Sequence, residues 1–241
     1  MNCQLKNKNQ QHVPSRFHIV HLSGSEEEHV MKISEIFTSI QGESSFSGLP
    51  CTFIRMAGCN LRCSYCDTLY ALEGGEDLDL DQVMGKVKAA GILLTELTGG
   101  EPLLQEESLT LSTLLLKEGY SVLLETNGSL PLDAVDRRVV KIMDLKCPSS
   151  GMSDQMEFSN IDYLTKRDEV KFVISDRTDF DWAREVISSY GLLEKCKILI
   201  SPHLSKLEAR TAASWIIEEK LPVRLQLQLH KIIWPGRERG V

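Results

Sequence analysis

Gly58-Cys59-Asn60-Leu61-Arg62-Cys63-Ser64-Tyr65-Cys66-Asp67-Thr68 is the stretch on which the reading of this chain turns. It sets three cysteines in a C-x3-C-x2-C pattern. Thiolates are soft metal ligands, and this spacing lets one short loop curl around a single metal centre. A structural zinc site takes four ligands and favours paired C-x2-C units. No second pair exists here, because Cys3, Cys51, Cys147 and Cys196 stand alone. A four-iron, four-sulfur cluster normally takes four thiolates. With only three, one iron stays open to a substrate or cofactor.

The rest of the chain bounds what such a loop can serve. The 241 residues suffice for one sizeable core or two small ones. A net charge of -7 argues against a broad nucleic-acid footprint, which needs clustered Lys and Arg. No apolar run approaches the roughly 18 residues of a membrane span. The N-terminus lacks the charged-then-apolar pattern of a secretory signal. Seven cysteines, three of them clustered, do not make a disulfide framework. A reducing cytoplasm is the expected compartment.

Residues 1–30 are polar, with one apolar patch at 17–22, and read as a flexible N-terminal extension; a docked strand is the alternative. Residues 31–241 read as a single domain. Apolar and alternating patterns predict strands at 32–37, 52–56, 92–97, 120–124, 139–145, 169–174, 197–200 and 223–229. Helices are predicted at 79–90, 108–117, 179–189 and 205–220, and a loop at 38–50. Strands alternating with helices imply an α/β fold with a parallel sheet and right-handed crossovers. With 32–37 only a short candidate strand, a parallel series of about six or seven is too few for a closed eight-stranded barrel, so an incomplete, open one is expected. The cysteine loop leaves the C-terminal end of a strand, where parallel α/β folds place their chemistry.

Downstream of the cysteines stands Thr98-Gly99-Gly100-Glu101-Pro102, and with it the chain resembles the radical S-adenosylmethionine superfamily. Four further stretches narrow this: Ile40-Gln41-Gly42-Glu43, Cys66-Asp67-Thr68, Glu125-Thr126-Asn127-Gly128 and Gln228-Leu229-His230-Lys231. From about Lys32 onward the chain resembles the family of 7-carboxy-7-deazaguanine synthases. The resemblance implies an incomplete, TIM-like βα barrel of about six parallel strands. It implies a 4Fe-4S cluster on Cys59, Cys63 and Cys66, whose open iron is chelated by the amino and carboxylate groups of S-adenosylmethionine. Reductive cleavage then gives methionine and a 5′-deoxyadenosyl radical. The substrate is 6-carboxy-5,6,7,8-tetrahydropterin. Its ring contracts with loss of ammonia to 7-carboxy-7-deazaguanine, a precursor in deazapurine and queuosine synthesis.

Residue roles follow by the same resemblance. Ile40, Gln41, Gly42, Glu43, Arg55, Thr98 and His230 are expected at the substrate. Glu43 suits the guanidine-like edge of a pterin, and Arg55 suits its carboxylate. Tyr65, Gly99, Gly100, Glu101, Glu125, Asn127, Asp144, Lys146 and Ser201 are expected at S-adenosylmethionine. The two glycines would let backbone approach the ligand closely. Thr68 is expected to give a hydroxyl to Mg2+, whose remaining ligands are waters and substrate oxygens. Relatives set a C-terminal proline beside the substrate; here Pro235 is followed by residues 236–241, so that role is not carried over. The family further implies an electron donor such as flavodoxin or ferredoxin, and a homodimer. Two rival readings share the cysteine loop: an activating enzyme that makes a glycyl radical on another protein, and a non-catalytic metal-binding module.

Overall fold

The computed structural model describes residues 30–241. The expected flexible extension therefore lies outside the described residues, save Val30, which already pairs with Asp79. Nine strands form one sheet: β1 (Val30–Ile40), β2 (Pro50–Met56), β3 (Glu76–Asp79), β4 (Leu94–Gly99), β5 (Ser121–Thr126), β6 (Val140–Asp144), β7 (Glu169–Ile174), β8 (Lys197–Pro202) and β9 (Arg224–Leu225). Their spatial order is β3-β1-β2-β4-β5-β6-β7-β8-β9. From β2 to β9 every pairing is parallel. β1 runs antiparallel to both β2 and β3. This is the open α/β barrel expected from the alternation of strands and helices.

Helices α1 (Leu80–Ala90), α2 (Glu107–Lys117), α3 (Arg177–Ser189), α4 (Leu192–Lys195), α5 (Ala209–Glu218) and α6 (Leu229–Ile233) complete the fold. Local chemistry sets their ends. Asp79 and Gln82 form a reciprocal capping box on α1, and Gly91 ends it at φ 68. Asp176 caps α3 through the Asp179 amide.

The strands alternate between two interiors. Val122, Leu124, Met143, Val170 and Phe172 pack outward beneath the helices, where Phe172 meets Trp182 edge-on. Cys51, Phe53, Leu94, Leu123, Val140 and Ile142 face inward and fill the barrel floor. Above that floor the inward positions turn polar.

Four expectations change. The first strand runs on through Ile40, because residues 35–40 pair in register with β2 as an antiparallel hairpin. β3 has a single buried apolar residue, Leu78, and carried no strand signal. The alternation at 223–229 pairs at only two residues, because the Gln226 side chain bonds Leu227 O (2.7 Å) and Gly42 O (3.3 Å) and the chain turns. His230 consequently sits on α6 and not at a strand end. The last long helix starts at Ala209, after a turn in which the Lys206 and Leu207 amides bond His203 O.

The hairpin loop 41–49 covers the open side of the barrel. Its Ser45 amide and hydroxyl both donate to the fully buried Glu169 carboxylate on β7. Lys197 Nζ donates to Ser45 Oγ at 2.8 Å. Hydrogen bonds to a buried charge are worth about 1.5–3 kcal/mol each, and orphaned partners add cost. Glu169→Ala is expected to lower stability by about 2–3 kcal/mol in urea unfolding. It should also weaken ligand binding at Glu43, two residues before Ser45.

Candidate active site

A cavity of about 630 Å3 opens at the C-terminal ends of the parallel strands. Of the site residues expected from the sequence, all but Glu101 line it. Parallel register brings them level: Arg55 lies beside Thr98, and Asp144 beside Lys171.

One wall is the cysteine loop, with Cys59, Cys63 and Cys66 all on the cavity. Burial pushes the Cys63 thiol above its ordinary value. Among the described residues no set of three or more His, Cys, Asp or Glu side chains is gathered to hold a single metal ion. The thiols are soft donors on one loop beside a roomy cavity, which fits an iron–sulfur cluster with a ligand at its open iron.

The glycine pair supports that wall from behind. A Cβ on Gly100 would stand 1.9 Å from Gly58 O, and one on Gly99 2.3 Å from Met56 O. Gly99 also has φ 142. The Gly100 amide donates to Met56 O at 3.1 Å and the Glu101 amide to Gly58 O at 2.8 Å. The close approach that excludes side chains here is therefore backbone on backbone, β4 against the root of the cysteine loop. Glu101 departs from expectation. Fully buried, its carboxylate accepts from Asn127 N (2.7 Å), Thr126 Oγ1 (2.9 Å) and Leu103 N (3.0 Å). It knots the end of β4 to the end of β5. Asn127 Nδ2 in turn reaches Asn60 Oδ1 at 3.0 Å and Cys59 Sγ at 3.7 Å.

The opposite wall carries charge. Lys171, which no motif marks, places Nζ 2.6 Å from Glu43 Oε2, 2.5 Å from Glu125 Oε1 and 3.3 Å from Asp144 Oδ2. Glu125, expected at the cofactor, thus joins the substrate candidates Glu43 and Thr98, whose hydroxyl it accepts at 3.1 Å. Burial raises the Glu43 carboxyl, but the charge and hydrogen bond of Lys171, helped by Gln228, bring it below its usual value. Asp144 is likewise low: burial opposes ionisation, and Lys146 at 2.9 Å with Lys171 overrides it. Its Oδ1 is buried without a partner.

Glu96 also escaped the sequence reading. It lies 2% exposed on the cavity, bonded by the Gln41 amide. Burial, then the charges of Glu125 and Glu43, push its carboxyl far up, which favours the neutral form. Gly42 sits under His230: a Cβ there would stand 2.1 Å from Nδ1. Burial lowers the His230 imidazole below its usual value, which keeps it uncharged at pH 7. Arg55 donates Nε to Glu35 at 2.9 Å. Tyr65 stacks at a tilt on His203, with ring centroids 5.3 Å apart, and its buried hydroxyl is unpartnered. Pro235 is exposed and off the cavity, whereas Arg237, Glu238 and Val241 line it.

Two substitutions test this geometry. Gly100→Ala should fold, yet displace the cysteine loop and lose most of the visible iron–sulfur absorption after anaerobic reconstitution. Glu96→Gln should change stability by less than about 1 kcal/mol in urea unfolding, because burial and the neighbouring acids favour the neutral form that the amide mimics. An ionised Glu96 would instead lose a charged hydrogen bond worth about 1.5–3 kcal/mol.

Comparison with known proteins agrees with this geometry. The model of the Radical SAM superfamily matches residues 53–149. The 7-carboxy-7-deazaguanine synthase of Koribacter versatilis is 44% identical over 88% of this chain and 100% of its own length. That of Chlorobaculum tepidum is 47% identical over 88% of this chain and 97% of its own. The crystal structure of QueE from Escherichia coli superposes with a TM-score of 0.70 at 22% identity, covering 83% of this chain and 95% of that one, and shares the fold. The activase and metal-module readings fall away. The chain belongs to the 7-carboxy-7-deazaguanine synthase family of the radical S-adenosylmethionine superfamily.

Proposed function

We propose that this chain is itself a 7-carboxy-7-deazaguanine synthase, a radical carbon–nitrogen lyase that acts on 6-carboxy-5,6,7,8-tetrahydropterin. The observation that carries the reading is one cavity lined both by three thiols and by a carboxylate–lysine cluster. Cys59, Cys63 and Cys66 would hold a 4Fe-4S cluster, which together with S-adenosylmethionine would supply the radical chemistry. The chain's own residues bind, orient and shield. Asp144, with its unpartnered Oδ1, accepts hydrogen bonds from the cofactor, beside Lys146, Ser201 and Tyr65. Glu43 and Glu125 accept from the guanidine-like pterin edge, and Gln41 and His230 flank it. Arg55 is held at Nε by Glu35, which leaves its outer nitrogens to pair the substrate carboxylate.

Mg2+ belongs to the same proposal. The Thr68 hydroxyl makes no capping bond, lies 3.8 Å from Cys66 Sγ and lines the cavity. It is a single hard ligand, and waters and substrate oxygens would fill the rest of the shell. A small reducing protein as electron donor, a homodimer and a cytoplasmic setting complete the reading. Among the described residues no helix is long and apolar enough to cross a membrane.

An anaerobic assay with dithionite, S-adenosylmethionine and the carboxypterin should yield the deazaguanine product. Deoxyadenosine without product defeats the proposal. Alanine at any of the three cysteines should abolish turnover and visible cluster absorption. Thr68→Ala should keep the cluster and abolish the stimulation of turnover by added Mg2+.

A further inference from the structure

Lys171 sits between Val170 and Phe172, both buried against the helix layer, and points the other way, into the cavity. A buried lysine is costly unless its charge is matched and its donors are used. An ammonium has three protons. Those of Lys171 meet three carboxylates from three different elements: Glu43 after β1 (2.6 Å), Glu125 on β5 (2.5 Å) and Asp144 on β6 (3.3 Å). All its donors are thus engaged by the protein wall. The far oxygens of two of these carboxylates are also fixed: Gln228 Nε2 donates to Glu43 Oε1 at 2.8 Å, and Thr98 Oγ1 donates to Glu125 Oε2 at 3.1 Å.

Resting on the function proposed above, we propose that Lys171 is the positioning residue that holds Glu43 and Glu125 side by side, as paired acceptors for the guanidine-like edge of the substrate. Asp144 depends on it less, since Lys146 stands 2.9 Å away as a second cation. Other groups facing this space do not replace Lys171. Arg55 is paired with Glu35, His230 gives Glu43 a weaker attraction than Lys171 does, Asp67 is paired with Lys231 at 2.6 Å, and Glu96 adds a further acid.

The sign of the pH effect follows. Burial alone would raise the Glu43 carboxyl, and Lys171 is the main force bringing it down. Without Lys171, Glu43 takes up a proton at a higher pH and the acceptor pair is lost earlier as pH falls. The acid limb of pterin binding therefore moves up.

The test is anaerobic equilibrium dialysis of 6-carboxy-5,6,7,8-tetrahydropterin against the reconstituted protein across pH. Lys171→Met should weaken binding about tenfold or more at neutral pH and shift the acid limb up by about one unit, tenfold in affinity being one unit of pH for a single linked proton. Its S-adenosylmethionine affinity should change far less. Lys171→Arg keeps the charge and should keep the acid limb at its wild-type position. An unmoved Lys171→Met profile, or the same shift in Lys171→Arg, overturns the role. Where Lys171→Met does not fold, the charge-balanced double variant Lys171→Met/Glu125→Gln takes its place with the same expected shift, since Glu43 again loses its cation. Wild-type protein that binds no pterin overturns the functional reading and this role with it; wild-type binding with an unmoved variant profile overturns this role alone.

Discussion

A barrel that its strands do not close must be closed by something else, and here the seal is a row of buried carboxylates answered by lysines and amides. The loop 41–49 leaves the antiparallel edge and crosses to the far strands. Gln41 meets Glu96 on β4, Glu43 meets Lys171 on β7, and Ser45 meets Glu169 below it. The C-terminal segment then locks onto the same loop, with the Leu229 amide on Gly42 O at 2.9 Å and His230 against the bare Cα of Gly42. Apolar packing could have sealed the gap, but it would have left no polar cavity. Ion pairs seal it while keeping ionised groups where a polar ligand is to sit. Their desolvation is expensive, so each buried charge needs its partner in place. The loop, the cavity wall and the C-terminal segment therefore stand or fall together.

Much of this was legible in the sequence because it is written in local chemistry. The helix start at Asp79 and the stop at Gly91 are capping features, and they fixed α1 to within a residue. The inner strands β4 to β8 are buried along most of their length, as parallel strands between layers are. What local pattern cannot show is pairing. β3 is a strand only because β1 lies beside it, and 223–229 alternates like a strand yet finds a neighbour for only two residues. The site divided along the same line. Site residues in compact motifs, Glu101 apart, reach the cavity; Glu96 and Lys171 were missed because each lies within a strand run and belongs to no motif. That was itself the available signal: a charge inside a buried strand must find a polar partner.

The cavity sorts its acids by the cations within reach. Glu43 and Asp144 have lysines at hydrogen-bond distance and are held ionised. Glu96 touches only an amide, and the neighbouring carboxylates complete the push toward its neutral form. Similar side chains in one chamber thus present different faces to a ligand. Ionised carboxylates accept only, whereas a neutral one both donates and accepts. A heterocycle with a donor edge and a mixed edge is matched by such a set better than by uniformly charged walls.

The other wall is held by a different logic, one of contact distance. Parallel pairing sets Met56 opposite Gly99, so the root of the cysteine loop emerges directly beside the end of β4. Two backbones that leave adjacent strand ends in the same direction collide unless one carries no side chain. Gly99 and Gly100 satisfy that demand, and the amides of Gly100 and Glu101 then hold the loop at its root. Glu101 transmits the constraint sideways. Its buried carboxylate takes the Asn127 amide, and the Asn127 side chain touches Asn60 and Cys59. The loop that carries the thiols is thereby braced from β4 and from β5 at once. A cluster site needs that rigidity, since three thiols on an unbraced loop would order only at the cost of the binding they provide. The Gly-Gly-Glu sequence therefore acts first on the protein's own backbone, and on a ligand through the geometry that this fixes.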